Sequence, residues 1–209
     1  MSPKYGHLSQ SRASTRVSLR WLPGPPFENT ETLVLMVGEW YVDLRVDKES
    51  GALGWAIAGQ YLLKDTNPRR IVLTHTIDSH GNFNVSDPCL FIPLPDGCDL
   101  ETGAMPRPDM PGNPVTEYEE TTLAFTTLKS QLHGMLESDD NDPAHDSHQG
   151  TKIFLARIEG RYLALQQICI HNKGQSGDPD KIIGGEVSAK SEVFVDGHWR
   201  VKHVEARSC

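Results

Sequence analysis

A histidine in phase with aliphatic residues is the first feature of this sequence that could do chemistry. In RIVLTHTIDS, residues 70–79, strict alternation places His75 on the face of Ile71, Leu73 and Ile77. An imidazole directed into an apolar interior is a candidate general acid or base, and burial lowers its pKa. The competing reading is a core histidine bonded to a neighbour or a water. Glu119 comes second. If Leu123 and Phe125 point inward, Glu119 does too, and Tyr118 and Glu120 point outward. A carboxylate against an apolar cavity has a raised pKa and exchanges protons near neutral pH; otherwise it is a solvated strand start. Glu101 follows Cys98 in a stretch with no readable phase, so its direction is unassigned. Arg157, in phase with Ile153 and Leu155, could bind a carboxylate or enolate. Gln166, in phase with Tyr162, Ala164 and Ile168, could orient a carbonyl. At a barrel mouth, both would simply hold their polar ends in water.

The aromatic residues supply candidate walls. Trp21, Trp40, Trp55 and Trp199 fall on apparent inward faces, with Tyr61 and Tyr162 nearby and His203 in phase with Trp199 and Val201. They would line a pocket for a flat or lipophilic molecule, or else fill a core. His75, Asp78 and His80 do not converge on a metal, because alternation sets His75 and Asp78 on opposite faces and His80 lies in a turn. The acidic stretch Asp139–Asp146 lacks the glycine and glutamate of a calcium loop. Nucleophile elbows, phosphate loops and dinucleotide fingerprints are missing, so no cofactor is expected.

The formal charge of −8 disfavours nucleic acid as a partner. No apolar run reaches membrane-spanning length, and the first residues carry no apolar signal segment, so a cytoplasmic protein is expected. Cys89, Cys98, Cys169 and Cys209 have no CxxC spacing and are expected to be free thiols. A homodimer is left open.

These residues must be positioned by strands. Residues 39–61, EWYVDLRVDKESGALGWAIAGQY, read as a strand pair around a turn at Lys48–Gly51. Trp40, Val42, Leu44 and Val46 share one face and Tyr41, Asp43 and Arg45 the other, the pattern of one buried and one wet face. Ser14–Trp21, Thr32–Val37 and Arg70–Ser79 read as further strands. Residues 87–114, rich in Pro, Gly and Asp, read as a long loop with brief strands, for example around Cys98–Thr102, and Tyr118–Leu128 resumes β. Two hairpins follow, Thr151–Ile158 with Arg161–His171 and Ile182–Val195 with His198–Glu205; Asp196-Gly197 turns the second. Only Gln131–Glu137 is a helix candidate. About ten short strands and little helix predict an all-β fold, an antiparallel barrel of about eight to ten strands. Residues 1–13 read as a flexible tail, 14–209 as one barrel domain, and 137–149 as an acidic disordered loop.

Several motifs resemble, in order, a fungal family typified by the budding-yeast Hri protein: RWLPGP, TETLVL, GEWYVDLRV, WAIAG, HTIDS, DLETG, YEE and the terminal SAKSEVFVDGHWRVKHVEA. The resemblance runs from Arg16 to Ala206 and implies a lipocalin-like barrel, with two similar halves merged into one fold as a variant. It implies no established reaction and no catalytic residues.

Two functions of different class fit these residues. One is a cofactor-independent cyclase or isomerase acting on a lipophilic small molecule, such as a fungal secondary metabolite. The barrel would fold the substrate, and His75, Glu119 or Arg157 would polarise a carbonyl or move a proton. Trp40, Trp55, Tyr61, Tyr162, Gln166, Trp199 and His203 would contact it. The other is a non-catalytic small-molecule binding protein in the same barrel. An interaction scaffold with a filled core is a third reading.

Overall fold

A computed structural model of the chain describes residues 11–83, 85–107, 109–128, 134–139, 149–172, 181–182 and 185–208. They form fifteen strands and, among them, no helix. The first nine are β1 (Ser11–Trp21), β2 (Thr30–Val37), β3 (Trp40–Asp47), β4 (Leu53–Thr66), β5 (Arg69–Thr74), β6 (Ile77–Asp78), β7 (Ser86–Pro93), β8 (Cys98–Pro106) and β9 (Val115–Leu128). Their order is β3-β2-β1-β9-β8-β7-β5-β4, and a further β3–β4 pairing closes the ring into an eight-stranded antiparallel barrel. The short β6 lies alongside β4 beyond the end of β5. At this changeover Gly59 is indispensable, because a Cβ there would overlap the Thr74 carbonyl.

The remaining strands are β10 (Gly134–Asp139), β11 (Gln149–Ile158), β12 (Arg161–Asn172), β13 (Lys181–Ile182), β14 (Glu186–Val195) and β15 (His198–Ser208). They build a second sheet of order β10-β11-β12-β14-β15, with β13 paired to β12. Positive φ at Asp196 and Gly197 gives the tight turn expected of that dipeptide between β14 and β15.

The all-β barrel matches the expectation; the second sheet is additional. Strand β1 starts at Ser11, three residues before the expected boundary, and Ala13 is fully buried. Residues 87–114, expected to be mostly loop, contribute β7 and β8 to the barrel wall. Of the expected acidic loop, Glu137–Asp139 pair with β11, while 140–148 lie outside the described residues. The helix candidate Gln131–Glu137 is strand from Gly134 onward, and 131–133 are outside the described residues. Cys89 and Cys98 are free and buried, and Cys169 is buried. Among the described residues, no helix is long and apolar enough to cross a membrane.

Two cores result. One joins the outside of the barrel to the second sheet: Leu35, Val42, Leu44, Ala56, Ala58 and Ile77 against Phe154, Ile158, Leu163, Leu165 and Val187. The other lies inside the barrel: Tyr41, Trp55, Ile57, Tyr61, Ile71, Phe91 and Tyr118. The alternation of β3 therefore separates two buried faces. Its apolar face meets the second sheet, and Tyr41, Asp43 and Arg45, expected to be wet, line the lumen.

Candidate functional site in the barrel lumen

The polar face of β3 points at polar faces from β1, β8 and β9. On β1, alternation carries Arg12, Ser14 and Arg16 inward; on β9 it carries Tyr118, Glu120 and Thr122. On β8, Glu101 sits directly across the ladder from Glu120. Together with Tyr41, Asp43, Arg45, Tyr61 and Phe91, Glu101 and Glu120 line a chamber of about 70 Å³.

An ion-pair network runs through this lumen. Arg16 donates to Glu28 at 2.6 Å and reaches Glu120 at 3.4 Å. Arg45 donates through Nε (3.0 Å) and Nη2 (2.9 Å) to Asp43 Oδ2, and it too lies 3.4 Å from Glu120. Arg12 pairs with Asp99. Burial works against the charge of Arg45, but Asp43 and Glu120 hold it firmly protonated. Arg45 also lies over the Trp55 ring at 5.1 Å.

Glu101 is the lumen carboxyl whose pKa is raised toward neutrality. Burial, reinforced by the charge of Glu120, pushes its carboxyl up to about 7, against the opposing pull of the Tyr118 hydroxyl and Arg45. Tyr118 donates to Glu101 Oε1 at 2.6 Å, and its own pKa is raised by burial and by Glu101. A carboxyl poised near neutrality beside a phenol, facing a chamber, can give or take a proton. Among the described residues, two buried polar atoms of chamber-lining side chains lack hydrogen-bond partners: Asp43 Oδ1 and Arg12 Nε.

The expected site residues are dispersed. Glu119 is on the outside of the barrel, where Arg20 donates to it at 3.0 Å. The phase of β9 is the reverse of that expected, because Leu123 and Phe125 are exposed on the outer wall. Arg157 and Gln166 are exposed on the outer face of the second sheet, with Tyr162 on the same face. Arg157 stacks over Trp199 at 4.9 Å, and Trp199 packs on Phe194. Trp40 packs on Phe154 between barrel and sheet, and Trp55 belongs to the luminal core. Of these residues, only Tyr61 lines the chamber. His203 lines a separate cleft of about 270 Å³ between barrel and second sheet, floored by Leu33, Leu44, Val46 and Val193.

His75 is buried, but both ring nitrogens are occupied. Nδ1 is 2.7 Å from Asp78 Oδ2, and Nε2 is 3.0 Å from Asp87 Oδ2. Burial lowers the imidazole pKa, as expected, but the two carboxylates outweigh it and raise it to about 9. It is therefore an imidazolium clamped between acids, and it lines neither the chamber nor the cleft. Asp78 Oδ1 accepts from Trp55 Nε1 (2.9 Å) and the His80 backbone N–H (2.7 Å).

Alternation alone gives Glu101 no direction and turns Glu120 and Tyr118 outward. It makes Asp43 and Arg45 wet and does not single out Arg12 or Arg16. The chain forms fifteen strands where about ten are expected, too many for one barrel. A second sheet then takes the apolar face of β3 and leaves the polar face for the lumen.

A family model described as Protein HRI1 matches residues 12–142, more than half of the chain. The crystal structure of an uncharacterized protein, YLR301w from Saccharomyces cerevisiae, is similar with a TM-score of 0.63 and 15% identity, covering 94% of this chain and 85% of that one. At that identity the likeness concerns the fold. No curated protein matches.

Proposed function

This chain belongs to the Protein HRI1 family, and we propose that it is a small-molecule binding protein whose ligand sits in the polar barrel lumen. The observation that carries this reading is the pair of buried atoms without partners, Asp43 Oδ1 and Arg12 Nε, on side chains that line one chamber. A core built only for stability satisfies its polar atoms, since each one left unpaired costs about 1–3 kcal/mol. An unmet acceptor and an unmet donor around one chamber are a template for a compact polar ligand. The chamber, about 70 Å³, is small beside the roughly 300–1,000 Å³ of sites for drug-sized molecules. A long lipophilic substrate does not fit it. The test is a thermal-shift screen of small polar compounds, with hits confirmed by calorimetry on the wild type and Asp43→Asn. Binding that the variant loses supports the reading. No binding, with a variant of unchanged stability, returns the lumen to a scaffold role.

A second reading keeps the enzyme: a cofactor-independent isomerase in the same lumen, using Glu101 as the proton carrier and Tyr118 as its hydrogen-bonding partner. It is favoured by the carboxyl poised near neutrality at 2.6 Å from the phenol. Comparing metabolites with and without the gene tests it: a compound replaced by an isomer of equal mass supports it, and so does Glu101→Gln binding without turnover.

A further inference from the structure

The cleft between the barrel and the second sheet gathers polar groups that take no part in the lumen. Its volume, about 270 Å³, lies near the lower end of the roughly 300–1,000 Å³ of small-molecule sites. Leu33, Leu44 and Val46 of the barrel and Val193 of β14 make it apolar at the floor. A bulge in β15 falls on its wall: Ser191 pairs with His203 and Glu192 with Val201, so Lys202 has no partner on β14. Regular alternation sends neighbouring side chains to opposite faces, whereas the bulge brings Lys202 and His203 to one cleft. Arg161, at the start of β12, joins them, with its guanidinium 4.0 Å over the Phe125 ring.

Other charged groups on this wall are accounted for. Glu192 pairs with Lys190 at 2.9 Å, on the outer face that it shares with Tyr162. Glu31 and Lys202 are exposed, and water satisfies them. Arg161 is half-buried and, among the described residues, has no ion pair. The His203 side chain is 11% exposed and its Nε2 has no hydrogen bond; Glu205 Oε2, 3.6 Å away, already accepts from the Leu53 N–H.

We infer that this cleft is a second ligand site, for a small monocarboxylate with an aliphatic body. The carboxylate sits against Arg161 with Lys202 and His203 beside it, and the body lies on Leu33, Leu44, Val46 and Val193. The guanidinium fork offers paired donors to a carboxylate. Its stacking on Phe125 fixes that fork before the ligand arrives, so less freedom is lost on binding. The apolar floor adds burial of the aliphatic body. Glu31, on the same wall, repels a second acidic group and so selects against a dicarboxylate. The site is separate from the lumen and does not depend on a luminal ligand.

Calorimetry on the full chain with hexanoate, hexanamide and hexylammonium, one body with three heads, tests the assignment. Hexanoate is expected to bind about tenfold tighter than hexanamide, and hexylammonium more weakly still. Acetate, the head without the body, should bind more weakly than hexanoate. Arg161→Gln should remove most of the advantage of hexanoate over hexanamide. Lys202→Gln, at an exposed position, should weaken hexanoate about threefold and leave the unfolding temperature unchanged. In two-dimensional NMR spectra, hexanoate should move the amide signals of Leu33, Val46, Val193 and His203. If Arg161→Gln does not fold, Lys202→Gln and the ligand series decide. Equal binding of hexanamide or hexylammonium, or no binding of hexanoate to the folded protein, overturns the inference. Shifts confined to luminal amides such as Tyr61 and Glu101 also overturn it, and leave the luminal reading standing.

Discussion

Gln167 on β12 grips the backbone of Asp78 at two points: its Oε1 accepts from the Asp78 N–H at 3.1 Å and its Nε2 donates to the Asp78 carbonyl at 3.2 Å. Both residues are fully buried. A side chain of the second sheet thus supplies β6 with the hydrogen bonds that a neighbouring strand would otherwise give, and so ties the sheet to the barrel.

Replacing Gln167 with Leu keeps the volume but strands a buried N–H and a buried carbonyl. The expected loss is about 2–4 kcal/mol of unfolding free energy. Urea unfolding measures it, and a loss below about 0.5 kcal/mol would mean that the grip contributes little.

The clamp on His75 makes stability depend on pH in a defined window. The imidazole is protonated in both states below its unfolded pKa of 6.5, and there the clamp contributes fully. Above 6.5 the unfolded chain releases the proton while the folded chain keeps it to about 9, so stability falls as pH rises through that range. The shift corresponds to about 3 kcal/mol. Denaturant unfolding from pH 6 to pH 9 should show the decline in the wild type and a flatter profile in His75→Gln. A wild-type profile that rises across this window contradicts the clamp.

The barrel was legible because its strands alternate and their turns are marked: β1, β3, β14 and β15 all lie near their expected positions. The lumen was not legible, for one physical reason. Alternation says that Asp43 and Arg45 oppose Val42 and Leu44, but not which face is inside. The usual assumption, apolar inward, fails when a second sheet covers the outside of the barrel. The same assumption turned β9 over, because Leu123 and Phe125 are exposed and Tyr118 and Glu120 are buried. At His75 the regular strand stops after Thr74, so a phase carried through from Ile71 could not place it. Its two carboxylate partners, three and twelve residues further on, depended on that break.

Arg45 is the hub of the luminal charges, and its removal should be costly. Arg45→Met leaves Asp43 and Glu120 in the lumen without their shared cation, an expected loss of about 3–5 kcal/mol. Adding Asp43→Asn and Glu120→Gln to the same variant should recover most of it, since the charges left behind are the source of the penalty. Equilibrium unfolding of the single and triple variants decides: a triple variant no more stable than the single one would make Arg45 important for packing alone.

Glu101 acts in a lower window than His75, which lets the two be separated. Its carboxyl has an unfolded pKa of 4.5 and rises to about 7 in the barrel, so the folded state keeps a proton that the unfolded chain gives up. The sign is the same: stability is full below pH 4.5 and falls as pH rises to 7, where the buried carboxyl must ionise beside Glu120. Glu101→Gln keeps the shape and an acceptor for the Tyr118 hydroxyl while removing the ionisation. The variant should therefore lack the decline between pH 4.5 and 7 and be at least as stable as the wild type at pH 8, while retaining the decline from His75 above 6.5. Parallel unfolding curves for wild type and Glu101→Gln across pH 5–7 would show that this carboxyl is ionised throughout and is no proton carrier in the lumen.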